Sequence, residues 1–476
     1  MPDTHHAAAI DLGATSGRVI VGSYGPDGLD LTEVYRFPNG FNELRGYFYW
    51  DPGTLRSEII KGLKEAKKLF PNLTTCGIDT WGVDVALLDA TGRLAYPIHA
   101  YRDERTNPLV EEIKEKGDDA RLYEWTGLPP INYNTGIQLA ETLRTNPGVR
   151  DAAVRALQLP NFFGYLLTGT QVNEISIAST GMFLDLNSDR FSPAALDYFG
   201  IPEGWFEGPE KAGRSLGKID ADPDLSDIEV MLVPGHDTSC AFEAIPLDPE
   251  TPTLLISAGT WLLVGALTDR PTGGEEAFSY GISNERAGDG SYRPNKIILG
   301  LWLLEQLMPS FDDRPQSDAA WSALIEKAEG LKPAPKEALI DTDDQALFNP
   351  KNMKAAIDDQ LRGRGLTPPD SLAGYTRLIC DSLGNGAAIA TGKFRNLTGQ
   401  AFGQIAIVGG GSKNRLLCQR IADYSGIPVV SYTLEGTAVG NIAWQLIGSG
   451  AVDRMATFHA AIRPALQPRT FQPKQT

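Results

Sequence analysis

The first forty residues alternate between apolar runs and a polar turn. Ala7 to Ile10 form one apolar run, Val19 to Val21 a second, and Asp11 to Gly17 separate them. Two such runs around a Gly/Ser/Thr turn predict a β-hairpin. The turn offers backbone N–H groups, the hydroxyls of Thr15 and Ser16 and the cation of Arg18. Gly13 and Gly17 would let a bulky anion approach the backbone. Asp11 suits an anion site only if it faces a hydrated metal, so the set points to a Mg-nucleotide; the alternative is an ordinary hairpin with a polar tip. The pattern returns halfway along the chain, where Thr253 to Leu267 reads strand, Gly259-Thr260 turn, strand. A third turn, Gly409-Gly410-Gly411, follows an apolar run from Ile405 and opens a helix near Arg415.

Between these turns the period changes. Leu29 to Phe37 predicts a strand, and Leu55, Ile59, Leu63, Ala66 and Leu69 recur on one face of a helix starting at Pro52. Cys76 to Asp84 predicts a strand ending in a loop, where α/β folds place ligands. A hairpin turning at Asp89 to Gly92 follows, then a helix over Pro108 to Lys116. Ala152 to Leu167 reads as mostly helical, interrupted at Pro160 and ended by Gly169. Val230 to Phe242 reads as a strand, a Pro-Gly break and a helix start. Further helices are predicted over Ile297–Gln306, Trp321–Gly330, Met353–Arg362, Leu372–Leu397 and Ile442–Leu446, with a short buried strand over Ile427–Val430. The tail after Pro464 is expected to be loosely ordered. Pro and acidic residues cluster from Pro246 to Pro252, dividing the chain into domains 1–245 and 246–476.

Composition narrows the function classes. The 476 residues allow two or more domains with sizeable cores. A net charge of −17 argues against nucleic acid or an anionic membrane as general partner. No apolar run approaches the ~20 residues of a membrane span, and the start Met1-Pro-Asp-Thr-His-His predicts no signal peptide. Cys76, Cys240, Cys380 and Cys418 lie far apart without a CxxC pair, so they are expected as free thiols in a reducing cytoplasm.

Two hairpins that open two halves, followed by a strand–Gly-Gly-Gly–helix element, resemble the two-lobed ATPase fold of sugar kinases, actin and Hsp70 chaperones. The resemblance becomes specific through Asp11-Leu-Gly-Ala-Thr-Ser-Gly-Arg18, Gly77-Ile-Asp-Thr-Trp-Gly-Val-Asp84, Ala100-Tyr-Arg-Asp-Glu-Arg-Thr-Asn107, Gly235-His-Asp-Thr238, Ser257-Ala-Gly-Thr-Trp261, Gly300-Leu-Trp-Leu-Leu304 and Ile407-Val-Gly-Gly-Gly-Ser-Lys-Asn414. In this order they are similar to the FGGY carbohydrate kinases, and the Asp-Thr-Trp-Gly-Val-Asp form to that family's rhamnulose branch. The resemblance implies an α/β, actin-like (ribonuclease H-like) fold with the active site in the interdomain cleft, a sugar-binding N-terminal lobe and a nucleotide-binding C-terminal lobe. It implies an ATP- and Mg²⁺-dependent kinase that phosphorylates a ketose, L-rhamnulose first, with L-fuculose, L-ribulose or xylulose as alternatives.

Carried over by residue, the resemblance puts Ala14, Thr15, Ser16, Gly17 and Arg18 on the terminal phosphates, and Gly259 with Thr260 on phosphate from the second lobe. Gly409, Gly410 and Gly411 pass under the adenosine, with Asn414 and Glu305 nearby. Asp237 is the general base, the role its position after a Pro-Gly break suits; a helix cap is the alternative. His236, Thr238 and Gly82 line the sugar. Asp11 touches Mg²⁺ through water. Trp81 stacks on the sugar or belongs to the core, and Asp84 binds a sugar hydroxyl or pairs with an Arg. Asp103 and Arg105 belong to a loop near the sugar or to a surface ion pair. Rhamnulose members carry a substrate-binding Asn where this chain has Ile297; Asn295, two residues earlier, is the candidate replacement. The expected partners are the sugar and ATP alone, in a monomer or homodimer. A chaperone, a filament protein and a sugar-sensing pseudokinase are the alternatives on the same fold, and the sugar-side segments argue against the first two.

Overall fold

The computed structural model describes residues 4–248, 250–348 and 350–474. Met1 to Asp3 of the leader reading and Pro249 in the expected boundary lie outside them, as do the last two residues of the tail. Two compact units emerge: Met1–Pro246 with Leu267–Pro294 and Glu435–Ala465, and Leu247–Ala266 with Asn295–Leu434 and Leu466–Thr476. This grouping differs from a linear division at 245/246 over 267–294 and 435–465, because 435–465 packs on strands of the first 245 residues and 267–294 bonds to their helices and loops, as in Asn284 Nδ2 to Gly127 O and Arg286 N to Ser179 Oγ.

The first unit is built on a six-stranded sheet, ordered Gly28–Pro38, Ser16–Gly25, His5–Leu12, Leu73–Thr80, Glu229–Met231, Ser215–Lys218. The opening hairpin runs in unbroken antiparallel register from His5↔Tyr24 to Leu12↔Gly17. His5–Leu12 also pairs in parallel with Leu73–Thr80, which pairs in parallel with Glu229–Met231. Three neighbouring strands therefore deliver their C-terminal ends to one edge. Helix Pro52–Leu69 starts on Pro52 with Asp51 as its cap and buries Leu55, Ile59, Leu63 and Ala66. Leu69, expected on that face, is 57% exposed as the helix's last residue, and Phe70 packs against the core instead.

Helix Gly436–Gly448 packs its polar and apolar side chains into the same unit. A Cβ on Gly22 would lie 2.6 Å from Ile442 Cδ1, so the glycine lets helix and strand meet. Gln445 Nε2 donates to Ala8 O at 3.0 Å and to Asn441 Oδ1 at 2.7 Å. These bonds satisfy buried amides that would otherwise cost about 1–3 kcal/mol each.

In the second unit, 295–299 pairs with Trp261–Gly265, which pairs with Thr253–Ala258, then Gln404–Val408, Val429–Ser431 and Arg469–Phe471. Helix Leu372–Thr398 is 27 residues long and starts on the Ser371 cap. Gly384 lets it approach the next helix, since a Cβ there would sit 2.8 Å from the Arg420 backbone.

Four local expectations fail. Arg155–Gln158 is a strand paired with Val85–Leu88, and the helix begins only at Leu159, because Pro160 fits a first turn and nothing earlier. Ile297 to Leu299 continue the strand Tyr292–Leu299, and the helix spans only Trp302–Leu307. The hairpin expected to turn at Asp89 to Gly92 is reduced to that turn and a single Leu88↔Leu94 bridge, since Val85–Leu88 takes its strand partner from further along the chain. The tail supplies an edge strand, Arg469–Phe471, rather than a loose end.

Candidate active site

Three carboxylates, Asp11, Asp79 and Asp237, lie within electrostatic reach of one another at the ends of the parallel strands in the first unit. Asp11 lies opposite Asp79 in the parallel register, and opposite Arg18 across the hairpin. Thr80 bridges to His236, and its N–H donates to Gly235 O at 2.9 Å, which brings Asp237 beside the pair. Burial raises the Asp11 carboxyl above the usual range; Arg18 opposes this and the Asp237 charge adds to it. Asp79 is pushed well above that range by burial and by Asp11. Asp79 Oδ2 accepts from Asn441 Nδ2 at 2.6 Å, while its buried Oδ1 has no donor among the described residues. Asp237 differs: 33% of its side chain is exposed, against 9% for Asp11.

The hairpin turn is held by Gly13 N–H donating to Ser16 O at 2.9 Å and Asn39 Nδ2 donating to Gly13 O at 2.7 Å. Thr15 is exposed, Ala14 and Ser16 half-buried. The space a Cβ would need at Gly17 is filled by the Phe37 ring, 2.2 Å away, so the absence of a side chain here makes room for that ring. Arg18 binds Asp11 at 2.8 Å and Glu435 at 2.8 Å.

Asp237 is the first residue of helix Asp237–Glu243, and His236 occupies the cap position without a side-chain cap bond. The cap alternative for Asp237 is therefore not what forms; its Oδ1 accepts from the N–H and hydroxyl of Thr238. His236 Nε2 lies 3.5 Å from Asp237 Oδ1. On its other side, Nδ1 lies 2.9 Å from Glu285 Oε2 and 2.9 Å from Arg293 Nη2. Neither Glu285 nor Arg293 stands out in the sequence.

Asp84 is saturated by protein donors. Its Oδ2 accepts from Trp50 Nε1 at 2.6 Å, Trp81 Nε1 at 2.9 Å and Tyr101 N at 3.2 Å, and its Oδ1 from Gln138 Nε2 at 3.1 Å. Burial pushes its carboxyl up to about 6, and no Arg among the described residues pairs with it. Trp81 is buried in the core and packs on Trp50 with ring centroids 4.1 Å apart. Gly82 packs at the Thr180 side chain, and Val83 holds φ 72°, a left-handed conformation costly for a β-branched residue. Thr180 Oγ1 accepts the Val83 N–H at 3.1 Å, and Thr135 donates to Val83 O, fixing that turn.

The side chains of Asp103 and Arg105 do not pair with each other and do not form a surface ion pair. Asp103 accepts from Phe48 N at 3.0 Å and Arg105 N at 3.0 Å and sits 3.1 Å from His99 Nδ1. Arg105 is buried against Glu141, Gln138 O and Thr142. Burial and the Arg105 charge hold His99 down at about 4.

In the second unit the two glycine turns stack. Gly409 has φ 83°, and a Cβ there would lie 2.7 Å from Ala258 O; one on Gly411 would lie 2.7 Å from Ala258 Cβ. Gly300, N-terminal to the next helix, allows Leu301 N–H to reach Gly259 O at 2.9 Å and Trp302 N–H to reach Thr260 O at 3.1 Å. Gly410 has open space around it, and Thr260 is half-buried. Asn414 caps helix Arg415–Ser425, its Oδ1 accepting from Leu417 N at 3.1 Å. Glu305 is exposed enough to meet a ligand, its carboxyl raised by partial burial. Asn295 is fully buried opposite Gly265, while Ile297 is half-buried.

All four cysteines are free and buried, and burial pushes Cys76, Cys380 and Cys418 up to about 12. Among the described residues no three His, Cys, Asp or Glu side chains converge as a metal site, and no helix is long and apolar enough to cross a membrane.

Solved structures share this fold. Gluconate kinase from Lactobacillus acidophilus superposes with TM-score 0.80 at 13% identity, covering 99% of this chain and 94% of that one. Xylulose kinase from Rhodospirillum rubrum gives 0.79 at 19% identity over 99% and 94%. A curated rhamnulokinase of Klebsiella pneumoniae (strain 342) is 36% identical over 98% of this chain and 94% of its own length. That of Bacteroides thetaiotaomicron is 35% identical over 98% and 95%. Models of the FGGY family of carbohydrate kinases match residues 7–223 (N-terminal domain) and 254–449 (C-terminal domain). The chain belongs to the FGGY family of carbohydrate kinases and is a sugar kinase, an enzyme that takes a sugar and ATP.

Proposed function

We propose that the chain transfers the γ-phosphoryl group of ATP to the 1-hydroxyl of L-rhamnulose, giving L-rhamnulose 1-phosphate and ADP. The choice of sugar is supported by the two rhamnulokinases that align over 98% of the chain. The observation that carries the chemistry is the inequality of the three carboxylates. Asp11 is tied to Arg18 and Asp79 is sealed, so Asp237 is the one able to meet a substrate. In this reading Asp237 takes the hydroxyl proton as the sugar oxygen bonds to phosphorus and the bond to the ADP oxygen breaks. His236, Thr238 and Gly82 bind the sugar. Trp81, Asp84 and Asp103 shape that region from behind, because their polar atoms are already engaged by protein, and Arg105 does so through Nη1, held by Glu141.

Ala14 to Arg18, Gly259 and Thr260 take the phosphates, and Gly409 to Gly411, with Asn414 and Glu305, take the nucleoside. Thus 1–245 supplies mainly sugar contacts and 246–476 mainly nucleotide contacts, and the enzyme works in the cytoplasm, where its thiols stay reduced. The oxygen donors of Asp11 and the unbonded Asp79 Oδ1, both with carboxyls raised by burial and then by neighbouring carboxylates, fit a hard cation, so Asp11 would hold Mg²⁺ through water. When bound, the ion neutralises charge on the transferring phosphates.

A second reading, another ketose, is favoured by Ile297 and by the complete burial of Asn295. Sugar-dependent ADP release with L-rhamnulose, L-fuculose, L-ribulose and D-xylulose, each with phosphorus NMR of the product, decides between them. Highest kcat/KM on a sugar other than L-rhamnulose would overturn the first reading.

A further inference from the structure

Two turns carry the residues proposed to line the sugar, Gly82–Val83 and Gly235–Thr238, and one short segment, Glu174 to Thr180, bonds to both. None of its residues belongs to the motifs read from the sequence. The segment is the helix Ile175–Ala178 with Glu174 as its cap, the carboxylate accepting from Ser176 N at 2.9 Å and Ile177 N at 3.0 Å. The cap reaches beyond its own helix: Glu174 Oε2 also accepts the Gly235 N–H at 2.8 Å. Ser176 Oγ accepts the N–H of His236 at 3.3 Å, and Thr180 Oγ1 that of Val83 at 3.1 Å. Between them, Ser179 Oγ accepts Arg286 N at 2.8 Å, on the strand Ser283–Arg286 whose Glu285 lies against His236.

The hydroxyls of Ser176 and Thr180 work alike. Each donates inside the segment, Ser176 to Glu174 Oε2 at 2.6 Å and Thr180 to Ile177 O at 2.8 Å. A hydroxyl has one proton, so each oxygen is left as an acceptor of fixed direction, and each meets one backbone N–H of a sugar turn. Both side chains are buried, and an N–H that loses such an acceptor is left unsatisfied. The need is greatest at Val83. Its φ of 72° is disfavoured for a β-branched residue and persists only where the surroundings over-determine it, a condition that concentrates where binding geometry is set. Thr180 also packs on Gly82 itself, since a Cβ there would lie 3.3 Å from Thr180 Cγ2.

We infer that Ser176 and Thr180, mounted on the segment capped by Glu174, are positioning residues that set the spacing between Gly82 and the His236–Asp237–Thr238 turn, and so hold the sugar hydroxyl against its base. This inference rests on the proposed roles of Gly82, His236 and Asp237 at the sugar. The two hydroxyls divide the work. Thr180 supports a turn that only binds, whereas Ser176 supports the turn that also carries the reacting carboxylate. Loss of the first weakens sugar binding; loss of the second misplaces Asp237 relative to the oxygen it must reach.

Steady-state kinetics of the full-length enzyme, with sugar and ATP varied in turn, separate the two effects. Thr180→Val keeps the volume but removes the acceptor for Val83 N–H. It should raise KM for L-rhamnulose about tenfold, the size of one lost hydrogen bond, with kcat within about threefold of wild type. Thr180→Ser keeps the hydroxyl and should bring KM back near wild type. Ser176→Ala should instead lower kcat by up to about 100-fold, the scale of a small displacement of a reacting group, and KM for ATP should stay within about twofold in every variant. A folded Thr180→Val enzyme with wild-type KM for the sugar overturns the inference, as does a Thr180→Ser enzyme no better than Thr180→Val. Where Thr180→Val does not fold, Ser176→Ala decides: unchanged kcat overturns the inference, and lowered kcat with unchanged ATP binding supports it. A parallel loss of sugar and ATP binding in any folded variant also overturns it, as the mark of a merely structural role. The kinetics use whichever ketose of the panel the wild type phosphorylates, so failure of L-rhamnulose faults the choice of sugar alone. An active Asp237→Asn enzyme would fault the base and leave the Thr180 result standing.

Discussion

Replacing Asp237 by Asn removes a base while leaving its surroundings in place. The amide oxygen can take over Oδ1's two bonds from Thr238, so the start of helix Asp237–Glu243 keeps its local contacts. Two small stability terms oppose each other. Losing a negative charge in the first turn of a helix costs about 0.3–1 kcal/mol. Removing that charge also relieves Asp11 and Asp79, whose carboxyls it raises. The melting temperature should therefore stay within a few degrees of wild type. Turnover should not. Losing a general base slows the chemical step by about 10²–10⁴-fold, equivalent to about 3–5 kcal/mol of barrier. The assay is single-turnover phosphorylation under saturating ATP and sugar, with ATP binding measured by calorimetry on the same preparation. Unchanged ATP affinity, unchanged melting and a collapsed rate are expected. A rate within tenfold of wild type, in a folded protein that binds ATP, would refute the assignment of Asp237 as base.

Gly409→Ala should cost about 1–3 kcal/mol of stability for its positive φ with extended ψ, a region essentially reserved to glycine, and raise KM for ATP through the 2.7 Å approach to Ala258 O, whereas Gly410→Ala, in open space, should leave melting unchanged; both are read by calorimetry and ATP titration. Glu243 is buried and its carboxyl is raised to about 7 from 4.5, so the folded state binds the extra proton and stability from this group, full below pH 4.5, is lost as pH rises past 7. Over that interval the wild type should lose about 3 kcal/mol relative to Glu243→Gln, and a pH-independent difference in denaturant midpoints between the two would contradict it. Asp84→Ala strands two indole N–H groups, the Gln138 amide and the Tyr101 N–H, and should destabilise by more than ~3 kcal/mol in urea unfolding; a loss under 1 kcal/mol would mean that water replaces the carboxylate.

Much of this was legible because glycine turns and apolar period are local signals. Both hairpins, helix Met353–Arg362 and the glycine turn after Val408 follow from residues within about twenty positions of one another. Strand Arg155–Gln158 was not, because its partner lies seventy residues earlier and the run before Pro160 carries no distinguishing period. Spacing could not choose at Asp103 and Arg105 between a loop near the sugar and a surface ion pair; the structure removes the second, since Asp103 bonds Phe48 N and Arg105 binds Glu141, both away from the surface. Asp79 sits inside a recognised motif, but only burial beside Asp11 gives it significance. Glu285 and Arg293 carry no signal in the sequence, since nothing local reveals that two neighbouring strands bring them to a histidine some fifty residues away.

The discontinuity of the first unit sets an order of events during synthesis. Its sheet is complete by Met231, yet helix Gly436–Gly448, whose Gln445 bonds Ala8 and whose Ile442 fills the notch at Gly22, leaves the ribosome some two hundred residues later. At about 5–20 residues per second the nascent sheet waits on the order of ten to forty seconds with that face uncovered. The second unit, most of it contained in Asn295–Leu434, emerges during the delay. A chain cut after residue 245 would thus carry a permanent version of a transient state, with an exposed apolar face and unanswered backbone carbonyls. It should be held by chaperones or aggregate rather than serve as an independent sugar-binding module.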